Sequence, residues 1–166
     1  MALSMEQILR RTTPLRLEKA TTTVRISKLK LSVSKTTKLP LAVAQGYSKD
    51  VNREKKVTYN KYITSILFRK NKKVKISCCC PDFVYAGWEW ALWKKVSAGI
   101  IYGNGEPPDI TNPGGLVTGC CKHLAALWFF LQSKKLITPA QRYADKVSSP
   151  NDKKSKEIYN VEKRSR

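Results

Sequence analysis

Apolar and polar residues alternate in two neighbouring stretches of the chain, and this pattern predicts β-strands. The alternation runs from Val57 to Lys70 and resumes from Val74 to Cys78. Asn71-Lys72-Lys73 between them is typical of a turn, so the two strands are expected to form a β-hairpin. Gly46 to Lys49, ahead of the hairpin, is interpreted as another turn.

Apolar residues at helical spacing predict helices in the rest of the chain. Ser4 and Gln7 match a capping box, which would begin a short helix ending near Arg11. Three further helices are expected at residues 82–95, 122–135 and 138–147. The tryptophans of the first of these three are interpreted as core residues, with a base-stacking surface as the alternative. The predicted fold class is therefore α+β.

The N-terminal quarter of the chain is rich in threonine, serine and lysine. Val24 to Ser27 and Leu29 to Val33 alternate apolar with polar residues, which suits one or two strands. The same segment has few large apolar residues, which favours an extended arm that becomes ordered only on a partner. The predicted organisation is a basic N-terminal arm (residues 1–40), a small zinc-stabilised domain (41–147) and a polar, charged C-terminal tail (148–166).

The chain is strongly basic, with a formal net charge of +20 over 166 residues. The positive charge lies mostly before Cys78 and in the tail, whereas residues 78–136 are nearly neutral. Basic segments of this kind suit a polyanion, most often nucleic acid, or an acidic protein surface. Solubility alone is the other explanation. The longest apolar run has eight residues, far fewer than the roughly 20 that span a bilayer, and the first residues do not resemble a signal peptide.

The turn of the predicted hairpin concentrates five cations within seven residues. A charged turn is often only solvated, but this density also suits contacts with phosphates. We name these residues the basic turn, and they are the predicted nucleic-acid-binding residues: Arg69, Lys70, Lys72, Lys73 and Lys75.

All five cysteines and the single histidine occur in two short segments separated by 40 residues. Cysteine and histidine at such spacing are typical of a tetrahedral zinc site. Cys78 and Cys80 would share one face of a strand, whereas Cys121 would precede a helix that has His123 in its first turn. These four residues are the predicted zinc ligands. Cys79 and Cys120 remain possible replacements for their neighbours.

A Cys-x-Cys pair followed by Cys-x-His at a helix start resembles the SWIM-type zinc finger. The wider string is similar to a group of bacteriophage proteins that carry this finger: Cys-Pro-Asp-Phe at 80–83, Tyr-Gly-Asn-Gly-Glu-Pro-Pro at 102–108, Asn-Pro-Gly at 112–114 and Cys-Lys-His-Leu at 121–124. The resemblance covers roughly residues 57 to 135. SWIM fingers usually have a shorter interval between the two pairs, which implies an inserted helix and loop here.

The sequence favours a binding protein over an enzyme. Four protein ligands leave no open position on the zinc, no Gly-rich phosphate loop is present, and the single histidine belongs to the metal set. The predicted function is a zinc-binding module that binds nucleic acid, DNA rather than RNA, through the basic turn and arms. The resemblance implies a phage protein, located in the virion or in the cytoplasm of the infected bacterium. The alternative function is a structural role in the phage particle, with the arms tethering neighbouring subunits.

Overall fold

A five-stranded antiparallel sheet forms the centre of the computed structural model, which describes residues 2–86, 88–95, 99–101 and 117–147. The strand order is β1-β5-β4-β3-β2, so every neighbour pair except β1–β5 is consecutive in the chain. The strands are β1 (Leu3–Ser4), β2 (Val24–Val33), β3 (Pro40–Val51), β4 (Val57–Phe68) and β5 (Lys73–Cys78).

Six α-helices lie within the described ranges, and none of them is long and apolar enough to cross a membrane. Their bounds are α1 (Met5–Arg10), α2 (Pro14–Thr22), α3 (Pro81–Tyr85), α4 (Trp88–Lys95), α5 (Lys122–Ser133) and α6 (Ile137–Lys146). Ser4 and Gln7 form the predicted capping box at the start of α1. A short 3-10 turn over Lys70–Lys72 joins β4 to β5.

The core lies between one face of the sheet and the helices. The register aligns Ala42 with Ile66, and Ile66 with Ile76, on the face that α5 covers. Seven residues of α5 are buried, so the helix is covered on more than one side. We call this the helix face of the sheet, and the opposite one the outer face.

The structure confirms the predicted α+β class, the hairpin of β4 and β5, and the helices now assigned as α1, α5 and α6. Two local predictions are wrong. The turn at Gly46 to Lys49 lies inside β3, where Gly46 is buried and a Cβ atom would meet the Arg25 carbonyl oxygen at 3.3 Å. The helix predicted for residues 82–95 is instead two helices, α3 and α4. Trp88 is buried as expected for a core residue.

The prediction of an N-terminal arm is also wrong for the described residues. The alternation at residues 24–33 does form a strand, but β2 pairs with β3 of the same chain along its length. Met5 and Ile8 are fully buried, and Leu31 is 2 % exposed. The apolar surface that covers these residues comes from distant parts of the chain, which explains why a count of local apolar residues underestimates the order of this segment. The predicted tail at 148–166 lies outside the described residues.

Replacing Ile8 with alanine tests whether the N-terminal segment belongs to the core. We expect the free energy of unfolding to fall by about 2–5 kcal/mol, because a fully buried side chain leaves a cavity when it is truncated. Leu15→Ala is the matched control, since Leu15 is 58 % exposed and should change stability by less than about 0.5 kcal/mol. Urea titration followed by tryptophan fluorescence measures both variants. If the two variants were equally stable, the N-terminal segment would not belong to the core and the prediction of an arm would stand.

Candidate metal centre

The structure brings the four predicted ligands together. Cys78 ends β5, Cys80 precedes α3, Cys121 precedes α5, and His123 lies in the first turn of α5. One ligand atom from each residue lies within 4.8 Å of the others, and all four residues are buried. Within the described ranges, this is the one group of cysteine, histidine and acidic residues that could hold a metal ion.

Local structure positions the first pair of cysteines. Pro81 is the first residue of α3, where its missing N–H costs no helical hydrogen bond. The chain therefore leaves β5 and enters a helix within two residues. The Phe83 N–H donates to Cys80 Sγ at 3.4 Å, and the Cys80 N–H donates to Cys78 Sγ at 3.5 Å. Backbone donors aimed at sulfur favour thiolate, the form of cysteine that binds metals.

The neighbouring cysteines have other partners and lie outside the group. Cys79 is exposed, and its Sγ accepts a hydrogen bond from the Ile63 N–H at 3.2 Å. Cys120 is buried 3.5 Å from Thr12 Oγ1, which also accepts from the Cys120 N–H. Burial raises the pKa of Cys120 to about 12, so this residue remains a thiol. The structure thus separates the alternatives that the sequence left open.

The geometry of the group fits a tetrahedral zinc ion. Zinc–sulfur bonds of 2.3 Å place sulfur atoms about 3.8 Å apart in a tetrahedral shell, and the four ligand atoms here all lie within 4.8 Å of one another. Both ring nitrogens of His123 are buried without a hydrogen-bond partner. A buried imidazole without a hydrogen-bond partner carries a large desolvation cost. A metal ion bound to one of its nitrogens would remove part of that cost.

The electrostatics of the three thiols also favours a bound cation. Hydrogen bonds from Cys121 and Cys78 hold the pKa of Cys80 far below its usual range. Burial raises the pKa of Cys78 and of Cys121. Without a cation, three buried thiolates would repel one another. A divalent ion supplies the charge that allows all three to ionise.

Tyr62 and the ion pair between Lys122 and Asp50 lie beside the ligand pair of Cys121 and His123. The Tyr62 ring lies 4.4 Å from the His123 ring, at an angle of 52°. Lys122, the first residue of α5, pairs with Asp50 at 2.5 Å, and Asp50 also accepts from Asn60. A lysine at a helix N-terminus opposes the helix dipole. The Asp50 carboxylate offsets that effect and ties the start of α5 to β3.

The N-terminal helices hold the site from the other side. Arg16 of α2 forms two hydrogen bonds with Asp82 at the start of α3, at 2.7 and 2.6 Å. Its guanidinium also lies 4.8 Å from the centre of the Trp88 ring. These hydrogen bonds to Asp82 raise the pKa of Arg16. Sequence reasoning missed this role, because no motif links residues that are 66 positions apart.

A second set of contacts joins α1 to the segment that carries Cys120 and Cys121. Arg11 donates to Thr118 Oγ1 at 2.9 Å, and Thr12 bonds to Cys120 as described above. Between them, Gly119 packs so closely that a Cβ atom would lie 2.8 Å from the Trp88 ring and 2.9 Å from the Arg11 carbonyl oxygen. Glycine is therefore required here for close approach.

The basic turn lies at the opposite end of β5 from Cys78. Lys70 and Lys72 are exposed, whereas Arg69, Lys73 and Lys75 are half-buried. Gln141 of α6 donates to the Arg69 carbonyl oxygen, and Asp145 accepts from the Asn71 N–H. The turn is therefore a fixed part of the fold, and its two freely exposed cations are Lys70 and Lys72.

No family model, curated protein or solved structure matches this chain. The similarity to SWIM-type fingers thus stays a resemblance in the spacing of four ligands and in short strings around them. The chemistry of the site follows from the geometry of its own residues.

Serine substitutions test the ligand set one sulfur at a time. Cys78→Ser should lose most of the bound zinc, because a neutral hydroxyl is a poor replacement for a thiolate. Cys79→Ser is the matched control and should keep one zinc per chain, since Cys79 is exposed and outside the group. Elemental analysis of dialysed protein measures both. Loss of zinc from the Cys79 variant, or full retention in the Cys78 variant, would contradict the assignment.

Gly119→Ala tests the packing behind Cys120 and Cys121. The added methyl group would overlap backbone and an aromatic ring, so we expect a loss of about 1–3 kcal/mol in stability and weaker zinc binding. Gly46→Ala is the comparison, because its closest contact is 3.3 Å and lies away from the site. Thermal unfolding and zinc competition with a chelator measure the two effects. A Gly119 variant that is as stable and binds zinc as tightly as the parent would be inconsistent with this packing.

Proposed function

We propose that this protein is a non-enzymatic, zinc-stabilised module that binds nucleic acid. The observation that carries the proposal is the buried group of three cysteines and one histidine. Four protein ligands complete a tetrahedral shell and leave no position for a substrate or an activated water. The metal therefore has a structural role, and binding takes place on the surface that it stabilises.

Zinc is the metal that best suits these ligands. Thiolates exclude magnesium and calcium, which prefer oxygen ligands, and a closed tetrahedral shell is typical of structural zinc. Zinc binding to such sites contributes on the order of 10 kcal/mol, which is comparable with the whole stability of a small domain. Removal of the metal is therefore expected to unfold the region around α3 and α5.

The charge distribution supports a polyanionic partner. The chain carries 32 lysine and arginine residues against 12 acidic residues. Two of the acidic side chains, Asp50 and Asp82, are partly exposed and form ion pairs with Lys122 and Arg16. Most lysine and arginine side chains of the described residues are exposed, and an exposed positive surface attracts phosphates without sequence preference. The SWIM resemblance supports the same class of partner.

The alternative function, in which the N-terminal arm tethers neighbouring subunits of a phage particle, has less support in this structure. It required residues 12–40 to be free to add a strand to another subunit. Instead, β2 is the edge strand of this chain's own sheet: one edge pairs with β3, and α5 contacts the strand, so only its outer edge is left for strand addition. Nucleic-acid binding does not depend on a free arm, so it is the function that the fold supports better.

Neutralising two lysines of the basic turn tests the electrostatic part of this proposal. Lys70→Gln combined with Lys72→Gln should weaken binding to unrelated duplex and single-stranded DNA alike, and should flatten the slope of log affinity against log salt by about one to two units. Fluorescence anisotropy at several salt concentrations provides both quantities.

The control removes two exposed lysines elsewhere. Lys134→Gln with Lys135→Gln, at the end of α5, changes the net charge by the same amount. If both double variants lose affinity equally, the basic turn has no special part in binding. If the zinc-loaded parent protein binds no nucleic acid at low salt, the proposed function is wrong.

A further inference from the structure

Part of the outer face of the sheet is exposed. The odd-numbered residues of β3 lie on this face, and the register pairs them with residues of β2 and β4. Ser65, Leu67 and Ser77 lie on the same face but are buried, so the exposed area is bounded by β2, β3 and the first half of β4. We call this area the open sheet surface.

Two tyrosines occupy the centre of the open sheet surface. Tyr59 is 69 % exposed and Tyr47 is 44 % exposed, which is unusual for large aromatic side chains without a partner. The register pairs Tyr47 with Lys61 and Tyr59 with Lys49, so the tyrosines are diagonal neighbours on adjacent strands. Such neighbours lie about 7–8 Å apart. Two flat aromatic groups are therefore presented side by side on a rigid support.

Each tyrosine has cations as its direct cross-strand neighbours. Tyr47 lies between Arg25 of β2 and Lys61 of β4, and Tyr59 lies opposite Lys49. Directly paired residues on one face have Cβ atoms about 4.5–5.5 Å apart. A group that stacks on either ring would thus have a positive charge beside it.

The bulge in β2 extends this positive surface. The register shifts between Ile26 and Lys28, so Lys28 pairs with Gln45 and Lys30 pairs with Val43. Both lysines consequently lie on the outer face and are exposed. None of the positions that β2, β3, β4 and β5 place on this face is acidic. The charge of the surface is therefore of one sign.

We propose that the open sheet surface binds single-stranded nucleic acid, with bases stacked on Tyr47 and Tyr59 and phosphates held by the neighbouring cations. The proposal deepens the proposed function and rests on it. Stacking on aromatic side chains together with a cationic track is the general chemistry by which proteins bind single strands without sequence preference. Only unpaired bases expose the face that stacks, so a duplex cannot use the tyrosines.

The shape of the region is consistent with a chain-like ligand. Arg25, Tyr47, Lys49 and Tyr59 border a concave region of about 900 Å³ that continues past the end of α2 toward α5. An extended strand could follow this region beyond the two stacked bases. The basic turn lies at the far end of β4, ten residues from Tyr59, or about 33 Å along the strand. Removing its lysines therefore leaves the stacking positions intact, so the two surfaces can be tested separately.

The test uses the full-length, zinc-loaded protein and labelled oligothymidylate, oligouridylate and random duplex DNA, each about 20 nucleotides long. Tyr47→Leu combined with Tyr59→Leu should weaken binding to single strands by at least roughly tenfold, because each base stacked on an aromatic ring contributes strongly to affinity. Duplex affinity should change by less than about twofold. If the affinity for oligothymidylate falls more than the affinity for oligouridylate, the partner is DNA; the reverse result identifies RNA.

Two further variants separate stacking from general effects. Tyr47→Phe with Tyr59→Phe keeps the rings and should bind as the parent does. Tyr85→Leu removes an equally exposed tyrosine, 62 % exposed, from α3 and should have no effect. Zinc content and thermal unfolding establish that every variant is folded.

Several results would overturn the proposal. Unchanged single-strand affinity in the double leucine variant would do so. A double phenylalanine variant that loses as much single-strand affinity as the leucine variant would also do so, as would a parent protein that binds duplex DNA more tightly than single strands. If these occur while the Lys70 and Lys72 variant still loses affinity, the proposed function stands and only the stacking surface is wrong. If the parent binds none of the three probes, both proposals fail.

Discussion

The fold depends on the need to hold three thiols and an imidazole together in a buried site. Cys78 ends β5 and Cys80 precedes α3, whereas Cys121 and His123 come from the start of α5, which lies more than 40 residues further along the chain. Neither pair could form a closed site alone. A cation shared by all four would fix β5, α3 and α5 relative to one another, and the rest of the core packs around that arrangement.

The N-terminal segment completes the site although it contributes no ligand. Arg16 fixes the start of α3 through Asp82, and Thr12 fixes the start of α5 through Cys120. Partly exposed ion pairs contribute little stability by themselves, but these contacts restrict the positions of two ligand-bearing helix termini. The candidate metal centre is therefore not a separable finger with an arm attached. Its second layer of contacts includes residues from the first tenth of the chain.

The sequence allowed the local features to be predicted but not the long-range ones. Alternation revealed β4 and β5, and ligand spacing identified all four members of the metal group, because both signals depend on neighbouring residues. The position of residues 24–33 depends on pairing with β3 and coverage by α5, which no local pattern encodes. Gly46 shows the same limit. A glycine suggests a turn from sequence, whereas here it permits close approach between two strands.

The two faces of the sheet follow from a single periodicity and have different chemistry. Along β3, even-numbered residues such as Ala42 and Ala44 are small and apolar, which lets α5 approach the sheet and carry His123 to the three cysteines. Odd-numbered residues such as Tyr47 and Lys49 need not pack against anything, so they can be aromatic and cationic. The bulge in β2 keeps this separation by moving Lys28 onto the outer face. The proposed zinc on one face would give the rigidity that the proposed stacking surface on the other requires, because tyrosines on a frayed sheet would lose their spacing.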